Sequence, residues 1–225
     1  MIFERLEVCP DAEALAAAAA ARILTLALTA LRSQGVFRLA LAGGATPRRC
    51  YELLRAVDFD WSRTEIYFGD ERCLPLGDPG RNDTLAALAW LDHVRLSPGN
   101  PHAIPAELGP EAAAAAYAAV LRPVLPLDLV LLGLGEDGHT ASLFPGNAAL
   151  ELAQPVVPVF GAPKLPASRV SLSLSAINAA RHKLFLVSGA GKREVLRRLE
   201  GEPGLPAARI RGAEWLVDRE AWPAG

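Results

Sequence analysis

Apolar residues fall along this chain in two alternating patterns. Continuously apolar runs of five or six residues are typical of buried strands, and longer runs rich in alanine and leucine are typical of helices. The helices predicted in this way run from Asp11 to Gly35, Thr46 to Arg55, Asn82 or Asp83 to about His93, Pro110 to Arg122, and Gly191 to Leu199. The predicted strands are Phe37–Ala42, Thr64–Phe68, Leu127–Leu132, Pro155–Phe160, Arg169–Leu174, Lys183–Val187 and Glu214–Val217.

The alternation of strands with helices predicts an α/β fold with a mostly parallel sheet. Several strands are apolar at consecutive positions, which indicates helices on both faces of that sheet. No linker is long enough to divide the chain, so residues 1–225 are predicted to form a single domain. Thr46 followed by Pro47 predicts a helix N-cap and first helical residue, and Asn82 or Asp83 predicts another N-cap.

The segment Ala14–Leu31 is almost wholly apolar and has about the minimum length of a membrane-spanning helix. Much of it is alanine, however, and Arg22 stands near its middle, where a charge costs about 2.5–3.5 kcal/mol on insertion scales. The residues before it are acidic, unlike the basic start of a signal peptide. We therefore predict a buried or half-buried helix and no membrane partner.

Composition and charge argue against several classes of partner and site. The chain is 51% hydrophobic and 21% charged, so it can fill a large core, and its formal net charge is -2. This balance predicts no nucleic-acid partner and no anionic membrane surface. Cys9, Cys50 and Cys73 are far apart and odd in number, which argues against disulfides and favours a cytoplasmic protein. No cysteine or histidine spacing indicates a metal site.

A first candidate site is the segment Ala42-Gly-Gly-Ala-Thr-Pro47, which joins a predicted strand to a predicted helix. A glycine turn at a helix N-terminus presents free backbone N–H groups and the positive end of the helix dipole, and both favour anions. Gly43, Gly44, Ala45 and Thr46 are therefore candidate phosphate ligands. The alternative is a tight turn with an ordinary N-cap.

A second candidate site is Gly69-Asp-Glu-Arg72, whose charges directly follow the predicted strand Thr64–Phe68. Arg72 has the planar donor geometry that holds a phosphate or an oxyanion through two hydrogen bonds. Asp70 beside it is a candidate substrate ligand. The alternative is a solvated turn that contains an Asp–Arg pair.

The loop after the most apolar strand, residues 133–139, has three glycines in the G-x-G-x-x-G spacing of dinucleotide-binding turns. Its two acids would repel a pyrophosphate, and residues 157–160 supply no acid for a ribose hydroxyl, so we interpret the match as coincidental. Ligands of open α/β sheets bind at the carboxyl ends of strands, which favours His139 as a general base. Asp137 is close enough in sequence to orient it. The alternative is a capping aspartate and a structural histidine.

Basic residues later in the chain are candidate phosphate ligands. Lys164 and Arg169 flank a proline-containing turn, and Lys192 stands near the start of a late helix. The run before Lys192 resembles a nucleotide-binding P-loop, but Leu186 and Arg193 replace its glycine and its Ser or Thr, so we reject nucleotide hydrolysis. An exposed lysine without a ligand is the simpler interpretation of Lys192.

Taken together, these segments resemble the 6-phosphogluconolactonase family. Ser-Leu-Phe-Pro after the histidine is characteristic of this branch, which makes the glycine-histidine block the most specific match. Family members often have serines where this chain has Ala42 and Ala45, so phosphate contacts in the glycine turn fall to backbone N–H groups and Thr46. The matching blocks occur in the family's order and span most of the chain: residues 42–47, 68–72, 81–83, 133–146 and 163–174.

The resemblance implies a Rossmann-like α/β sheet of the sugar-phosphate isomerase type and no cofactor. It implies hydrolysis of 6-phospho-D-glucono-1,5-lactone to 6-phospho-D-gluconate, the second step of the oxidative pentose phosphate pathway. In this interpretation the catalytic residues are His139, Asp137 and Arg72. The substrate or phosphate ligands are then Gly43, Gly44, Ala45, Thr46, Asp70, Lys164, Arg169 and Lys192.

The nearest alternative is a glucosamine-6-phosphate deaminase/isomerase, which has the same fold and a similar glycine-histidine loop. Those enzymes carry an acid shortly after the histidine, in a Phe-Asn-Glu-Pro run, where this chain has Leu143-Phe-Pro145. A non-catalytic sugar-phosphate-binding protein and a nicotinamide-binding module are alternatives from other classes. The sequence leaves open whether the protein is a monomer or a small homo-oligomer, and whether Asp137 or Asp70 orients His139.

Overall fold

Two sheets and six α-helices make up the part of the chain that the computed structural model describes, residues 2–222. The strands are β1 (Arg5–Cys9), β2 (Phe37–Leu41), β3 (Thr64–Phe68), β4 (Asp70–Arg72), β5 (Leu129–Leu132), β6 (Val156–Val159), β7 (Arg169–Leu172), β8 (His182–Val187) and β9 (Glu214–Asp218). The helices are α1 (Ala12–Gln34), α2 (Ala45–Arg55), α3 (Asn82–Ala89), α4 (Pro110–Leu121), α5 (Leu174–Ala179) and α6 (Arg193–Gly201).

The large sheet has six parallel strands in the order β1-β9-β8-β5-β2-β3. All four residues of β5 are buried, as expected for a central strand of a parallel sheet that helices flank. The predicted α/β class is therefore confirmed. Strand β2 leads to β3 on one side and has β5 as its other neighbour, so the strand order reverses between β2 and β5. Such a switch point leaves a crevice at the carboxyl ends of the two strands.

Helix α1 is long and apolar enough to cross a membrane by length and composition alone. Its buried residues recur every three or four positions and form one face. The helix packs against α2 and against strands β1, β2, β8 and β9. Arg22 forms an ion pair with Glu214 of β9. The chain begins α1 with a cap from the Asp11 side chain and ends it at Gly35, which has φ 78°. This matches the prediction of a half-buried helix.

A small antiparallel sheet with the order β4-β7-β6 accompanies the large one. The strands predicted at 155–160 and 169–174 belong to it and not to the parallel sheet. The chain passes between the sheets at Gly69, whose N–H donates to the Leu41 carbonyl while its own carbonyl accepts from Leu172 N–H, both at 2.8 Å. Residues 70–72 are consequently a strand rather than a solvated turn.

The predicted N-cap at Thr46 is wrong by two residues. Helix α2 begins at Ala45, and its N-cap is Gly44, with φ 110° and ψ 168°. This left-handed value of φ suits glycine and is strained for other residues, so the backbone conformation of Gly44 decides where the helix begins. Thr46 lies within the first turn.

The predicted capping of α3 by Asn82 or Asp83 is also wrong. The N-cap is Arg81, which makes no side-chain cap. The Glu71 carboxylate takes over this role from β4, because it accepts hydrogen bonds from the N–H groups of Asn82 at 2.8 Å and Asp83 at 2.9 Å. The start of α3 is thereby fixed to the small sheet.

Several element ends differ from the prediction. Helix α3 ends at Ala89 and is followed by a 3-10 turn over Leu91–His93, where one continuous helix was predicted. A 3-10 turn over Ala190–Lys192 likewise precedes α6. Strand β1 and helix α5 were not predicted, since β1 is short, mostly exposed and charged, and α5 has only six residues.

Candidate active site

A cavity of about 380 Å³ opens at the carboxyl ends of β2 and β5, at the switch point of the large sheet. Both sheets contribute to its lining. Ala45 and Thr46, in the first turn of α2, and Asp137 are not among the lining residues. The predicted site residues that line the cavity are Gly43, Gly44, Asp70, Arg72, His139, Lys164, Arg169 and Lys192.

His139 and Asp137 form a hydrogen-bonded pair at the edge of this cavity. The Nδ1 atom of His139 lies 2.5 Å from Asp137 Oδ1, which also accepts the backbone N–H of His139 at 3.2 Å. A carboxylate can only accept, so Nδ1 carries the proton and Nε2 keeps its lone pair. Asp137, rather than Asp70, is thus the acid that orients the imidazole.

The surroundings of the pair favour a neutral imidazole. Burial lowers the pKa of His139, and although the contact with Asp137 raises it, the net value falls below the ordinary 6.5. Burial raises the pKa of Asp137, but the hydrogen bond and charge of His139 lower it more, so the carboxyl is ionised at neutral pH. A neutral histidine beside an ionised acid has the protonation state of a general base.

Gly135 makes room for this arrangement. A Cβ atom at position 135 would lie 2.0 Å from His139 Nδ1 and 2.7 Å from Asp137 Oδ1, closer than atoms can approach. Gly135 N–H also donates to the His139 carbonyl at 2.8 Å, which closes the loop around the side chain. Gly138 has φ 88°, a conformation in which a side chain would be strained. Both glycines are therefore accounted for by the conformation of the histidine loop.

Arg72 and Arg169 are directly opposite each other in the β4–β7 pair, so their side chains share one face of the small sheet. Two like charges at such positions repel each other unless an anion lies between them. Burial lowers the pKa of Arg169, and the nearby charge of Arg72 lowers it further, while Asp70 opposes the fall. The pair therefore favours an anionic ligand.

Protein contacts hold both guanidinium groups in place. Arg169 Nε donates to the Pro166 carbonyl at 3.1 Å and Nη2 to the Lys164 carbonyl at 2.8 Å. Arg72 Nη1 donates to the Gly80 carbonyl at 2.5 Å, and its Nε is buried without a hydrogen-bond partner among residues 2–222. With Lys164 and Lys192, four cationic side chains line the cavity. This local charge contrasts with the slightly negative chain as a whole.

Asp70 contributes a carboxylate to the same cavity. Its Oδ2 accepts a hydrogen bond from Ser142 Oγ at 2.5 Å, and its Oδ1 accepts one from Asn82 Nδ2 at 3.2 Å. Asn82 itself is 2% exposed and lies against Gly43, where an added Cβ would come within 1.9 Å of Asn82 Oδ1. The carboxylate is thus fixed by residues from two other parts of the chain.

Glu71, between Asp70 and Arg72, points away from solvent and is fully buried. Besides the two N–H groups of α3, its carboxylate accepts the N–H of Arg72 at 2.8 Å. Burial raises the pKa of Glu71 to about 7 against the opposing effect of these three donors. Its contacts connect the position of Arg72 to the start of α3.

Sequence reasoning did not single out several residues of the cavity. Asn82 was considered only as a helix cap, although it stands in one of the blocks that carry the family resemblance. Phe144 was treated as part of a motif, and Leu165 offered no signal because it is apolar and stands in a loop. The residues missed in this way are Asn82, Leu134, Ala141, Phe144 and Leu165.

Other chemistry-bearing residues are not assembled into sites. Within the described range 2–222, no group of three or more His, Cys, Asp or Glu side chains could hold a metal ion. Cys9, Cys50 and Cys73 are free thiols, of which the first two are buried. Burial raises the pKa of Cys50 to about 12, so this thiol is not a nucleophile at neutral pH.

Comparison with known proteins places these features in a family. The model for glucosamine-6-phosphate isomerases/6-phosphogluconolactonase matches residues 10–218. A 6-phosphogluconolactonase of Streptomyces coelicolor is 41% identical over 236 residues, covering 94% of this chain and 90% of that protein. A 6-phosphogluconolactonase of Nostoc is 38% identical over 202 residues, covering 86% of this chain and 83% of that protein.

Solved structures agree with these sequence matches. The crystal structure of 6-phosphogluconolactonase from Thermotoga maritima superposes with a TM-score of 0.89 at 27% identity, covering 96% of this chain and 99% of that chain. A monomeric glucosamine-6-phosphate deaminase has a TM-score of 0.83 at 22% identity over 96% of this chain and 98% of that chain. At 22% identity, the similarity to the deaminase shows a shared fold and nothing about activity.

Proposed function

Because the chain belongs to the glucosamine-6-phosphate isomerase/6-phosphogluconolactonase family, we propose that it hydrolyses 6-phospho-D-glucono-1,5-lactone with water activated by His139. The family predicted from the sequence is confirmed. The observation that carries the proposal is the position of His139, which lines the same cavity as four cationic side chains. One small cavity thereby offers a base for the ester carbonyl and positive charge for the phosphate.

The phosphate binds to the cationic side of the cavity. Arg72 and Arg169 lie on one face of the small sheet, and Lys164 and Lys192 complete the positive surface. The backbone N–H groups of Gly43 and Gly44, which line the cavity before α2, add donors at a helix N-terminus. Binding energy from this remote group positions the lactone carbonyl for attack.

The chemical step begins when neutral His139 accepts a proton from water through Nε2 as the water oxygen bonds to C1. The carbonyl electrons move onto the oxygen, which becomes an oxyanion that backbone N–H donors stabilise. The bond between C1 and the ring oxygen then breaks, and His139 returns the proton to that oxygen. Asp137 stays ionised throughout and stabilises the imidazolium.

A direct assay tests the proposal. The lactone is generated by oxidation of glucose 6-phosphate, and its consumption is followed over time. The rate of spontaneous ring opening is subtracted from the observed rate. Turnover well above this background supports the hydrolase. Binding of 6-phosphogluconate without turnover would instead indicate a sugar-phosphate-binding protein.

The deaminase alternative is tested with glucosamine 6-phosphate. Its ring opening and amine chemistry require a further acid–base group, and Asp70 is the one carboxylate among the described residues that line the cavity. Leu143 and Phe144, where the deaminases carry their acid, are buried and apolar. We therefore expect no ammonia release, and ammonia at a rate comparable to lactone hydrolysis would support the alternative.

The pH dependence follows from the lowered pKa of His139. The base acts when neutral, so kcat/KM rises with pH through the pKa of the free enzyme and reaches a plateau, with its midpoint below 6.5. Asp137→Asn removes the charge that holds this pKa up, so it should move the midpoint to still lower pH and reduce kcat. The measurement is kcat/KM between about pH 5 and 8, corrected for spontaneous hydrolysis.

Burial raises the pKa of Glu71 to about 7, so the rise of kcat/KM with pH must be assigned to His139 by a second measurement. An NMR titration of the His139 imidazole gives its pKa without turnover, and this value should equal the kinetic midpoint. A midpoint above 6.5, or one that Asp137→Asn leaves unchanged, contradicts the assignment of His139 as the base.

Arg169→Ala should chiefly weaken substrate binding. Loss of one charged donor at a buried anion site corresponds to roughly a 10- to 100-fold rise in KM, with a smaller effect on kcat. Arg169→Lys keeps the charge without the planar donor geometry and should give an intermediate KM. Arg211→Ala removes an exposed arginine that does not line the cavity and is the control. An unchanged KM in Arg169→Ala would remove Arg169 from the phosphate site.

A further inference from the structure

The Phe144 ring contacts both the histidine and one of the arginines of the cavity. Its centroid is 4.5 Å from the His139 ring centroid, and the two planes are tilted by 42°. The Arg169 Cζ atom is 5.4 Å from the centroid of Phe144, over the ring. The side chain is 2% exposed, although it lines the cavity.

We propose that Phe144 is a positioning residue that sets the separation between the His139 imidazole and the Arg169 guanidinium. The inference rests on the proposed function, since it concerns the base and an anion-binding group of the same site. Burial alone would indicate only a core residue. Phe144 contacts two polar groups of the cavity, and these contacts indicate a role in the site.

The contact with His139 completes the restraint of the imidazole. The hydrogen bond to Asp137 fixes Nδ1, and the phenyl ring fixes the tilt of the imidazole plane and excludes water from one side. Three charged groups act on the imidazole from different elements: Asp137 of its own loop, Asp70 of β4, and Lys164 of the loop between β6 and β7. Removing the ring leaves these charges in place and changes hydration alone, so it should raise the pKa of His139.

The contact with Arg169 restrains the guanidinium from a direction that its hydrogen bonds leave open. Nε and Nη2 are held by the carbonyls of the 164–166 loop, whereas Nη1 has no hydrogen-bond partner among residues 2–222. A cation over an aromatic face is attracted by the ring, and this attraction restrains the guanidinium in addition to its two hydrogen bonds. Loss of the ring should therefore weaken anion binding as well.

The test compares three variants. Phe144→Leu fills much of the volume without a ring, and Phe144→Tyr keeps the ring. Phe185→Leu is the matched control, because Phe185 is fully buried and stacks on Trp215 at 3.8 Å without lining the cavity. The measurements are the NMR titration of His139, assigned by the signal missing in His139→Gln, the Kd of inorganic phosphate, and kcat and KM for the lactone.

We expect Phe144→Leu to raise the His139 titration midpoint by about half a unit or more through hydration. We also expect it to weaken phosphate binding about threefold or more and to lower kcat/KM about tenfold through lost alignment. Phe144→Tyr should restore most of each value. Phe185→Leu should lower the melting temperature while the midpoint and the phosphate Kd stay at wild-type values.

Two outcomes overturn the proposal. In the first, Phe144→Leu loses stability as Phe185→Leu does but keeps the wild-type midpoint and phosphate Kd. In the second, Phe144→Tyr fails to restore them. The midpoint and the phosphate Kd need no lactone turnover, so they test Phe144 even if the protein does not hydrolyse the lactone.

Discussion

His139→Ala is expected to lower kcat by a factor of about 10²–10⁴, the range that a positioned general base contributes. KM should change little, because the imidazole acts on water and not on the phosphate. The protein should remain folded, since the substitution removes one side chain at the wall of a cavity and leaves the Gly135–His139 backbone hydrogen bond intact. The measurement is background-corrected lactone hydrolysis together with circular dichroism and thermal unfolding.

His182→Ala is the control for this variant. His182 is exposed and stands at the amino end of β8, whereas the cavity lies at the carboxyl ends of the parallel strands, so its removal should leave kcat unchanged. Wild-type turnover by His139→Ala would mean that another group activates the water. Asp70 would then be the next residue to change, since it is the carboxylate that lines the cavity.

Gly135→Ala is the second large effect that we expect, although it alters no reacting group. The new Cβ would lie 2.0 Å from His139 Nδ1 and 2.1 Å from its Cε1, so the imidazole must leave its position and its hydrogen bond to Asp137. A displacement of about 1 Å can cost on the order of 100-fold in rate, and we expect a loss of kcat/KM of this size. Gly135 has no left-handed φ, so alanine does not strain the backbone itself.

The matched control is Gly201→Ala, because a Cβ at the end of α6 meets no atom within 4 Å. Both variants should unfold at similar temperatures, and only Gly135→Ala should lose activity. An NMR titration of His139 in Gly135→Ala should also show a pKa closer to that of an exposed imidazole. An active Gly135→Ala protein would mean that the loop can move away from the imidazole at little cost.

The sequence predicted the elements whose own residues carry a recognisable local pattern. The strand at Leu129 is apolar at every position, and the strands at Phe37 and Thr64 each end in three consecutive apolar residues. The long helix has a capping aspartate and a final glycine, so local patterns sufficed. Strand β4 could not be predicted from its own residues, because three consecutive charged residues are typical of a turn. It is a strand because it pairs with β7. That partner is almost a hundred residues away in the chain.

The candidate site divides in the same way. His139 and Asp137 are two residues apart at the end of an apolar strand, and their pairing could be proposed from the sequence. Arg72 lies opposite Arg169 because of the register between two strands from distant segments of the chain. No local sequence pattern predicts that register. The glycine at 135 is a further example, since its nucleotide-like spacing has a different cause: the imidazole occupies the space of its missing side chain.

The division into two sheets separates the two tasks of the cavity. The proposed base follows a strand of the large sheet, whereas both arginines stand on the small one. Changing the anion that the cavity accepts therefore calls for substitutions at Arg72 and Arg169 themselves and not for a new β4, because Asp70 of β4 also accepts a hydrogen bond from Ser142 of the histidine segment. The loop that carries the proposed base would keep its native sequence.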